Sequence, residues 1–385
     1  MSPAPFYGPC SHVSVTVAGV GSYLPKQRVS NRTMLERIDP RRPDGTPLAP
    51  DWIERHVGIF ERRLDFDFVA GKKRERSEGG LFDGDLALRA ARAALADARM
   101  DGGALDLLVH VSTTPDTIAC TDHLRFLTTE LRLRHGADLV HHNLGCAGLA
   151  AGLRTAAAFL RSWAPATALV VASNCPSGYF AKKPGGAYRL HQSGFAWLSP
   201  LVFSDGAGAM VLRGATPSGG TRQTGLLAVR YETSPDVPLV TYPAGGCLDH
   251  TSVDNVDDHL FIMDGRRVNE VFTPLMQRNM EMLKEDWPTE IAPVVGSDFD
   301  PDRVARWYIH QANAVVVRRA GELLGLPPER IPINVDRYGN TSAASTLILL
   351  DEDREAKRVR AGDLVVFLWI GAGNGAMNGY AAVIL

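Results

Sequence analysis

Cysteine is scarce and unevenly placed in this chain of 385 residues, with five in all. That number and spacing make no disulfide framework, and thiols kept reduced inside a cell are the simpler account. No CxxC pair occurs, and His141 and His142 stand near Cys146 without a zinc spacing. No metal site is therefore expected, and the two histidines read as strand residues beside a turn. An excess of one charge is also missing: Lys+Arg 41 against Asp+Glu 43 leaves a formal net charge of −2, which gives no global attraction to nucleic acid or to a membrane surface. No apolar run reaches about 18 residues, and no basic-then-apolar segment opens the chain. A soluble, cytoplasmic protein is the expectation. The glycines of Gly371 to Gly375 make no dinucleotide fingerprint, because no helix opens after them.

What is present is an alternation of strand-like and helix-like segments, the pattern of an α/β protein with covered sheets. At about 150 residues per domain the length suggests two or three domains. Strands are expected at Val13 to Val20, Leu105 to Ser112, Ala137 to Leu144, Thr167 to Ala172 and Ala207 to Leu212, with helices at Asp85 to Met100, Asp122 to Leu133 and Ala147 to Arg161. The turn-rich Thr216-Pro217-Ser218-Gly219-Gly220 marks a break, giving halves 1–215 and 216–385. The second half reads as a strand at Thr224 to Thr233, a helix over Val268 to Lys284 that Pro274 would kink, and strands at Asp363 to Ile370 and Tyr380 to Leu385.

Three short segments carry chemistry. Cys146 in His142-Asn143-Leu144-Gly145-Cys146-Ala147-Gly148 sits where a strand hands over to an Ala- and Leu-rich helix. A free cysteine in such a stretch is ordinarily a buried small hydrophobe. At a helix N-terminus, however, free backbone N–H groups and the helix dipole favour thiolate, lowering a pKa of about 8.5 toward neutrality. His310 in Tyr308-Ile309-His310-Gln311-Ala312-Asn313 follows another strand and precedes the helix-like Ala314 to Leu324. Asn340 in Tyr338-Gly339-Asn340-Thr341-Ser342-Ala343-Ala344 has the composition of a helix cap before Ala343 to Lys357. Each has a structural reading when taken alone. Together they supply a nucleophile and two hydrogen-bonding partners, as thiol-based acyl chemistry requires.

On these segments the chain resembles the thiolase superfamily and, within it, the beta-ketoacyl-ACP synthase III-like branch, whose members use a Cys-His-Asn triad. The resemblance extends to Val57-Gly58-Ile59-Phe60-Glu61-Arg62-Arg63, Phe203-Ser204-Asp205-Gly206-Ala207-Gly208-Ala209, Met263-Asp264-Gly265-Arg266 and Gly371-Ala372-Gly373-Asn374-Gly375. It implies two similar βαβαβ-type halves packed as a five-layered αβαβα structure, with Cys146 from the first and His310 and Asn340 from the second. It implies an acyl-Cys146 intermediate, an oxyanion hole from the backbone N–H groups of Cys146 and Gly373, and a Claisen condensation with a malonyl-type thioester, with no cofactor beyond acyl-CoA or acyl-carrier-protein thioesters. Trp52, Ile118, Ala119 and Asn313 would contact substrate. A homodimer follows from family habit, with the loop at Ile118 and Ala119 reaching the partner's pocket.

The chain also departs from that pattern. Trp52 matches the tryptophan that stacks on the CoA adenine in typical members, but the arginine expected four residues later is His56. A second clamp arginine has no counterpart in Ser173 to Val202. Ala314 and Val315 replace the Leu-Arg pair whose arginine helps dock a carrier protein, leaving Arg318 and Arg319 nearby on a face that reads as solvated. The basic run Gly71-Lys72-Lys73-Arg74-Glu75-Arg76 reads as a solvated loop, with an acidic carrier protein as the alternative. The aromatic stretch Cys175 to Trp197 is expected to rim the acyl pocket or the dimer interface. These departures suggest a specialised fatty-acid or polyketide-type pathway. Two alternatives to condensation stand: acyl transfer from Cys146 to an alcohol or amine with His310 as base, and a silent partner subunit of a heterodimeric synthase, which the retained Cys and His disfavour.

Overall fold

The computed structural model describes residues 13–38, 45–117, 120–179, 198–216, 224–241, 262–263, 265–373 and 375–385. Five strands, β1 (Ser14–Tyr23), β2 (Leu107–Val111), β3 (Asp138–His142), β4 (Ala166–Asn174) and β5 (Gly206–Ala215), form one sheet in the order β1-β5-β4-β2-β3. The three strands β4, β2 and β3 pair in parallel, while β5 pairs antiparallel with both β4 and β1, so β1 runs in the same direction as the parallel three. The second sheet contains β6 (Gly225–Ser234), β7 (Arg306–Ile309), β8 (Leu364–Gly373) and β9 (Gly375–Ile384), ordered β7-β8-β9-β6.

Period-two burial in the strands decides what each sheet face meets. Val365, Phe367 and Trp369 of β8 share one core with Val109, Val111, Val170 and Leu212 of the first sheet. Between them lie α3 (Gly148–Trp163) and α6 (Ser345–Glu355), through Leu149, Leu153, Leu347 and Leu350. The alternate residues Val366 and Leu368 face α4 (Gly265–Asp286) and α5 (Ala314–Leu324). On the far face of the first sheet, Leu108, Leu169 and Val211 meet α1 (Asp83–Asp97) and α2 (Thr121–Leu131). The result is five layers, αβαβα, of the thiolase type. Truncating Phe367 or Trp369, both fully buried, is expected to cost about 3–5 kcal/mol by the usual cavity and transfer magnitudes.

The central helix α3 can enter this sandwich because it carries small residues on the sheet side. A Cβ on Gly152 would lie 2.8 Å from a methyl of Val111 and 3.2 Å from one of Val170. Helix and strands therefore approach more closely than alanine would permit.

Several sequence expectations need correction. The strands expected to stop at Ile370 and to start at Tyr380 reach further: β8 extends to Gly373 and β9 begins at Gly375, pairing down to Gly373 opposite Gly375. Glycines weaken strands in general, but here the long apolar runs on either side keep the hairpin in register. The helix expected from Ala343 starts at Ser345, preceded by a 3₁₀ turn Ser342–Ala344. Helix α4 continues across Pro274 for 22 residues. Ile118, Ala119, residues 180–197 of the aromatic stretch, residues 217–220 of the expected break and Asp264 lie outside the described residues.

Candidate active site

The nucleophile turn is built by the end of β3. Leu144 N–H bonds back to His142 O at 2.9 Å, and Gly148 N–H to Gly145 O at 2.7 Å. Cys146 is thus held in a tight turn two residues ahead of α3, partly exposed. Across from it runs the end of β8, where Gly371 backs directly onto Cys146: an added Cβ there would overlap the Cys146 Cβ and approach the Ala147 nitrogen to 3.3 Å. This contact brings the second-sheet hairpin against the turn supplied by the first.

The Ser342 hydroxyl donates to the Cys146 sulfur at 3.6 Å. Ser342 holds a left-handed backbone with φ 53°, unusual for a residue with a side chain and costing of order 1–3 kcal/mol. Asn340 is not the helix cap its surroundings suggested. Its Oδ1 accepts Ser342 N–H at 2.8 Å, which leaves the amide NH₂ as its donor. Its backbone is pinned to the first half by Asn340 N–H to Val202 O and Ser204 N–H to Asn340 O, both at 2.9 Å.

The thiol corrects another expectation. Burial pushes it up from its ordinary value, and the bonds from Ser342, Asn340 and its own backbone N–H only partly offset that. The helix N-terminus does not bring it to neutrality, so the resting nucleophile is the thiol. The desolvation of an anion outweighs dipoles whose helix begins two residues later.

His310 follows directly on β7, its N–H donating to Leu368 O at 2.8 Å. Its Nδ1 lies 3.0 Å from the Ser345 hydroxyl, and that oxygen already receives Gln311 N–H at 3.4 Å. The hydroxyl can give its proton to Nδ1, and with Nδ1 accepting, the ring proton sits on Nε2. Burial lowers the pKa of His310 to about 3, so the ring stays neutral across the physiological range. Gln311 locks the segment, donating to Ile309 O at 2.8 Å and accepting Asn334 N–H at 3.1 Å.

A pH dependence of stability follows from His310. Unfolded, it titrates near 6.5; folded, near 3. Between those values the unfolded chain holds the extra proton, so stability rises with pH, and this contribution is lost as pH falls from about 6.5 toward 3. The slope from one such group is at most about 1.4 kcal/mol per pH unit. Urea unfolding between pH 7 and pH 4.5 is expected to show a shallower pH slope in His310→Asn than in the wild type.

The sequence motifs outside the triad have structural work. Arg62 is fully buried and donates to Asn31 Oδ1 at 2.6 Å, Leu201 O at 2.8 Å and Val29 O at 3.3 Å, and burial lowers its pKa to about 9. Ser204 binds Arg63 N–H and Arg63 O, tying this strand to the segment that holds Asn340. Asp205 accepts Asp65 N–H and the Ser177 hydroxyl. The basic run is not a solvated loop throughout: Lys73 is buried, donating to Ser177 Oγ at 2.7 Å and Asp65 O at 2.9 Å, and Arg74 pairs with Asp65. Burial of the Lys73 stem and the buried carboxylates Asp65 and Asp205 draw it inward.

Other expected site residues divide. Trp52, on the short helix Pro50–Val57, stacks on His56 with centroids 4.6 Å apart, and the His56 Nδ1–H donates to Trp52 O at 2.8 Å. Asn313 caps α5, accepting Val316 N–H at 2.8 Å; its side-chain oxygen is occupied by the helix. Gly373 closes the hairpin two residues beyond Gly371. Arg318 and Arg319 are exposed. Sequence reasoning missed the roles of Ser342 and Ser345; their signal was the run of small hydroxyl residues after Asn340, which reads equally as capping. A cavity of about 750 Å³ is lined by Leu144, Arg154, Tyr231, Arg278 and Met377 among others. Its lining includes none of Cys146, His310 and Asn340, so it does not mark the reacting centre.

Residues 296–383 match the family model for the C-terminal part of 3-oxoacyl-[acyl-carrier-protein (ACP)] synthase III. A beta-ketoacyl-[acyl-carrier-protein] synthase III of Erythrobacter litoralis is 30% identical over 94% of this chain and 97% of its own length. The protein of the same name from Bradyrhizobium diazoefficiens is 28% identical over 93% and 95%. The crystal structure of 3-oxoacyl-(acyl carrier protein) synthase III from Pseudomonas aeruginosa superposes with a TM-score of 0.73 at 25% identity, covering 96% of this chain and 98% of that one. The five-layered fold, with the Cys146 turn met by Ser342 and by Gly371 of the second sheet, is that of a condensing enzyme of the thiolase superfamily. Within it, the chain belongs to the beta-ketoacyl-[acyl-carrier-protein] synthase III family. Among the described residues no helix is long and apolar enough to cross a membrane.

Proposed function

We propose that Cys146 accepts an acyl group from a CoA or carrier-protein thioester and that the acyl-enzyme is then condensed with a malonyl-type thioester. In the first half-reaction the sulfur attacks the thioester carbonyl, and the donor leaves as a free thiol carrying the proton Cys146 gives up. In the second, the malonyl group loses CO₂, its enolate carbon attacks the acyl-Cys146 carbonyl, and the released sulfur is reprotonated. The products are a β-ketoacyl thioester, CO₂ and the free enzyme.

The observation that carries this reading is a buried, neutral His310 together with Asn340, whose segment reaches the Cys146 sulfur through the Ser342 hydroxyl. A histidine that is uncharged at pH 7 and accepts on Nδ1 from Ser345 offers its Nε2–H, and with an asparagine NH₂ it suits an enolate oxygen better than it suits general-base work. That favours condensation over acyl transfer to an alcohol or amine. The N–H groups of Cys146 and Gly373 would stabilise the tetrahedral oxyanion, and this chemistry calls on no metal or redox group. Trp52 stacked on His56 offers an aromatic face for an adenine in place of the missing arginine. A cytoplasmic homodimer fits this role.

The test is intact mass after incubation with a panel of acyl-CoA and acyl-carrier thioesters, followed by addition of malonyl thioester. An acyl adduct that discharges with CO₂ release is expected; an adduct indifferent to malonyl donors but discharged by alcohols or amines would replace condensation with acyl transfer. His310→Ala and Asn340→Ala are each expected to keep the first adduct while slowing decarboxylation by roughly 10²–10³, the usual loss for one oxyanion donor.

A further inference from the structure

Attack on a thioester needs a charged sulfur, because the thiolate and not the thiol is the nucleophile. The two usual sources of that charge do not serve Cys146. Burial outweighs the helix N-terminus and holds the thiol above its ordinary value. His310 is no base for it: the ring's Nδ1 faces the Ser345 hydroxyl at 3.0 Å, and with that nitrogen accepting, Nε2 carries a proton and has no lone pair to offer. Another neighbour must therefore favour the ionised sulfur over the neutral one.

Ser342 is placed to do this. The residue is buried, and its hydroxyl donates to the Cys146 sulfur at 3.6 Å. Among the described residues that hydroxyl makes no other hydrogen bond, so its proton is committed to the sulfur. The backbone is bent to hold it there. Ser342 sits at φ 53°, a left-handed conformation that glycine adopts freely and a residue with a Cβ does not. Both of its backbone polar groups are tied down in that state: its N–H goes to Asn340 Oδ1 at 2.8 Å, and its carbonyl accepts from Ser345 N–H. A position that favours glycine on backbone grounds thus carries a hydroxyl aimed at the nucleophile. Strain of this kind, over-determined by its surroundings and placed at a reacting atom, points to function.

We propose that Ser342 is a catalytic residue of the acylation half-reaction, its hydroxyl stabilising the Cys146 thiolate by a hydrogen bond that the left-handed backbone aims. The proposal rests on Cys146 as the acyl acceptor. A hydrogen bond to an ionised acceptor is roughly twice as strong as one to a neutral group, so the same contact that is weak to the thiol strengthens when the S–H bond breaks. The hydroxyl keeps its own proton throughout. The proton lost by Cys146 passes through water to the departing thiolate, and the sulfur is neutral again once the acyl bond has formed. Ser342 thereby works against the desolvation that holds the thiol protonated, and its effect falls on the first half-reaction, while His310 and Asn340 serve the second.

The test is the rate at which iodoacetamide alkylates Cys146 in the full-length protein as a function of pH, followed by intact mass with the adduct located by peptide mass. Ser342→Gly removes the hydroxyl and suits the backbone; Ser342→Ala removes the hydroxyl and keeps the strain. Losing a hydrogen bond to a charged group lowers the thiolate fraction about 10–100-fold. The more basic sulfur is the better nucleophile and recovers about half of that on a logarithmic scale, so both variants are expected to alkylate about 3–10-fold more slowly at about pH 8. The deficit should shrink as pH rises toward the thiol's own midpoint. A merely structural serine predicts the opposite sign, because the smaller residue opens the approach to the sulfur. Ser342→Gly should also melt no lower than Ser342→Ala, which separates the chemical effect from stability. Alkylation of folded Ser342→Gly at or above the wild-type rate would overturn the proposal, as would a deficit of the same size at every pH. Alkylation involves no thioester, so that outcome leaves the condensation reading standing, and a failure of CO₂ release would leave the alkylation profile unmoved.

Discussion

Cys146→Ala abolishes acyl-enzyme formation and with it condensation: no acyl adduct is expected by mass from any thioester, and turnover falls by many orders of magnitude. In a comparable catalytic unit, loss of the nucleophile alone costs on the order of 10⁶ in kcat. The size follows from the division of labour. His310 and Asn340 donate hydrogen bonds but offer no second nucleophile, and their geometry is spent on a reaction that cannot begin without the thioester at Cys146. Stability should change little, within about 1 kcal/mol, because the substitution removes one sulfur and a weak 3.6 Å bond from Ser342. Equal Tm with lost acylation is therefore the signature. Residual adduct at another cysteine, mapped by peptide mass, would displace Cys146 from its role.

Gly371→Ala carries the second large effect, through packing alone. The new methyl would overlap the Cys146 Cβ and crowd the Cys146 Cα and Ala147 N at 3.3 Å. These are backbone and near-backbone atoms in a hydrogen-bonded turn, with no flexible tail to swing aside. Either β8 or the nucleophile turn must move, at about 1–3 kcal/mol for overpacking. A displacement of about 1 Å at a reacting centre is enough to cost about 10²-fold, so acylation of Cys146 should slow by at least about that factor, with a lowered Tm. Gly178→Ala is the control: an added Cβ there meets nothing within 4 Å, and it should fall within about 0.5 kcal/mol of the wild type. Normal acylation by Gly371→Ala would show that the hairpin does not set the position of the sulfur.

Much of the architecture was legible before any coordinates. Strands β2, β3 and β4 and helices α1, α2 and α3 were placed to within a few residues, because runs such as Ala166 to Asn174 and Gly148 to Leu160 carry a strong apolar pattern of unambiguous period. Boundaries failed where local chemistry has two uses. Asn340-Thr341-Ser342 reads as a helix cap, yet Asn340 accepts Ser342 N–H just before a 3₁₀ turn and Ser342 turns its hydroxyl to the sulfur. The strand expectations stopped at Ile370 and restarted at Tyr380, yet the long-range pairing of β8 with β9 carries both strands on to Gly373 and Gly375, although glycine disfavours strands. The basic run read as solvated because charge runs usually are, while Lys73 is buried against Asp65 and Asp205.

The sequence by itself determined the α/β alternation and the three segments that hold Cys146, His310 and Asn340, since these rest on patterns within a dozen neighbouring residues. Tertiary structure decided the protonation of the site: burial, which no local pattern encodes, raises the thiol pKa and lowers that of His310. It also decided that Gly371 must lack a side chain and that the Ser342 hydroxyl reaches the Cys146 sulfur. Those outcomes depend on which distant segments come to share a few ångströms of space, and that is settled only when the two sheets close over the helices between them.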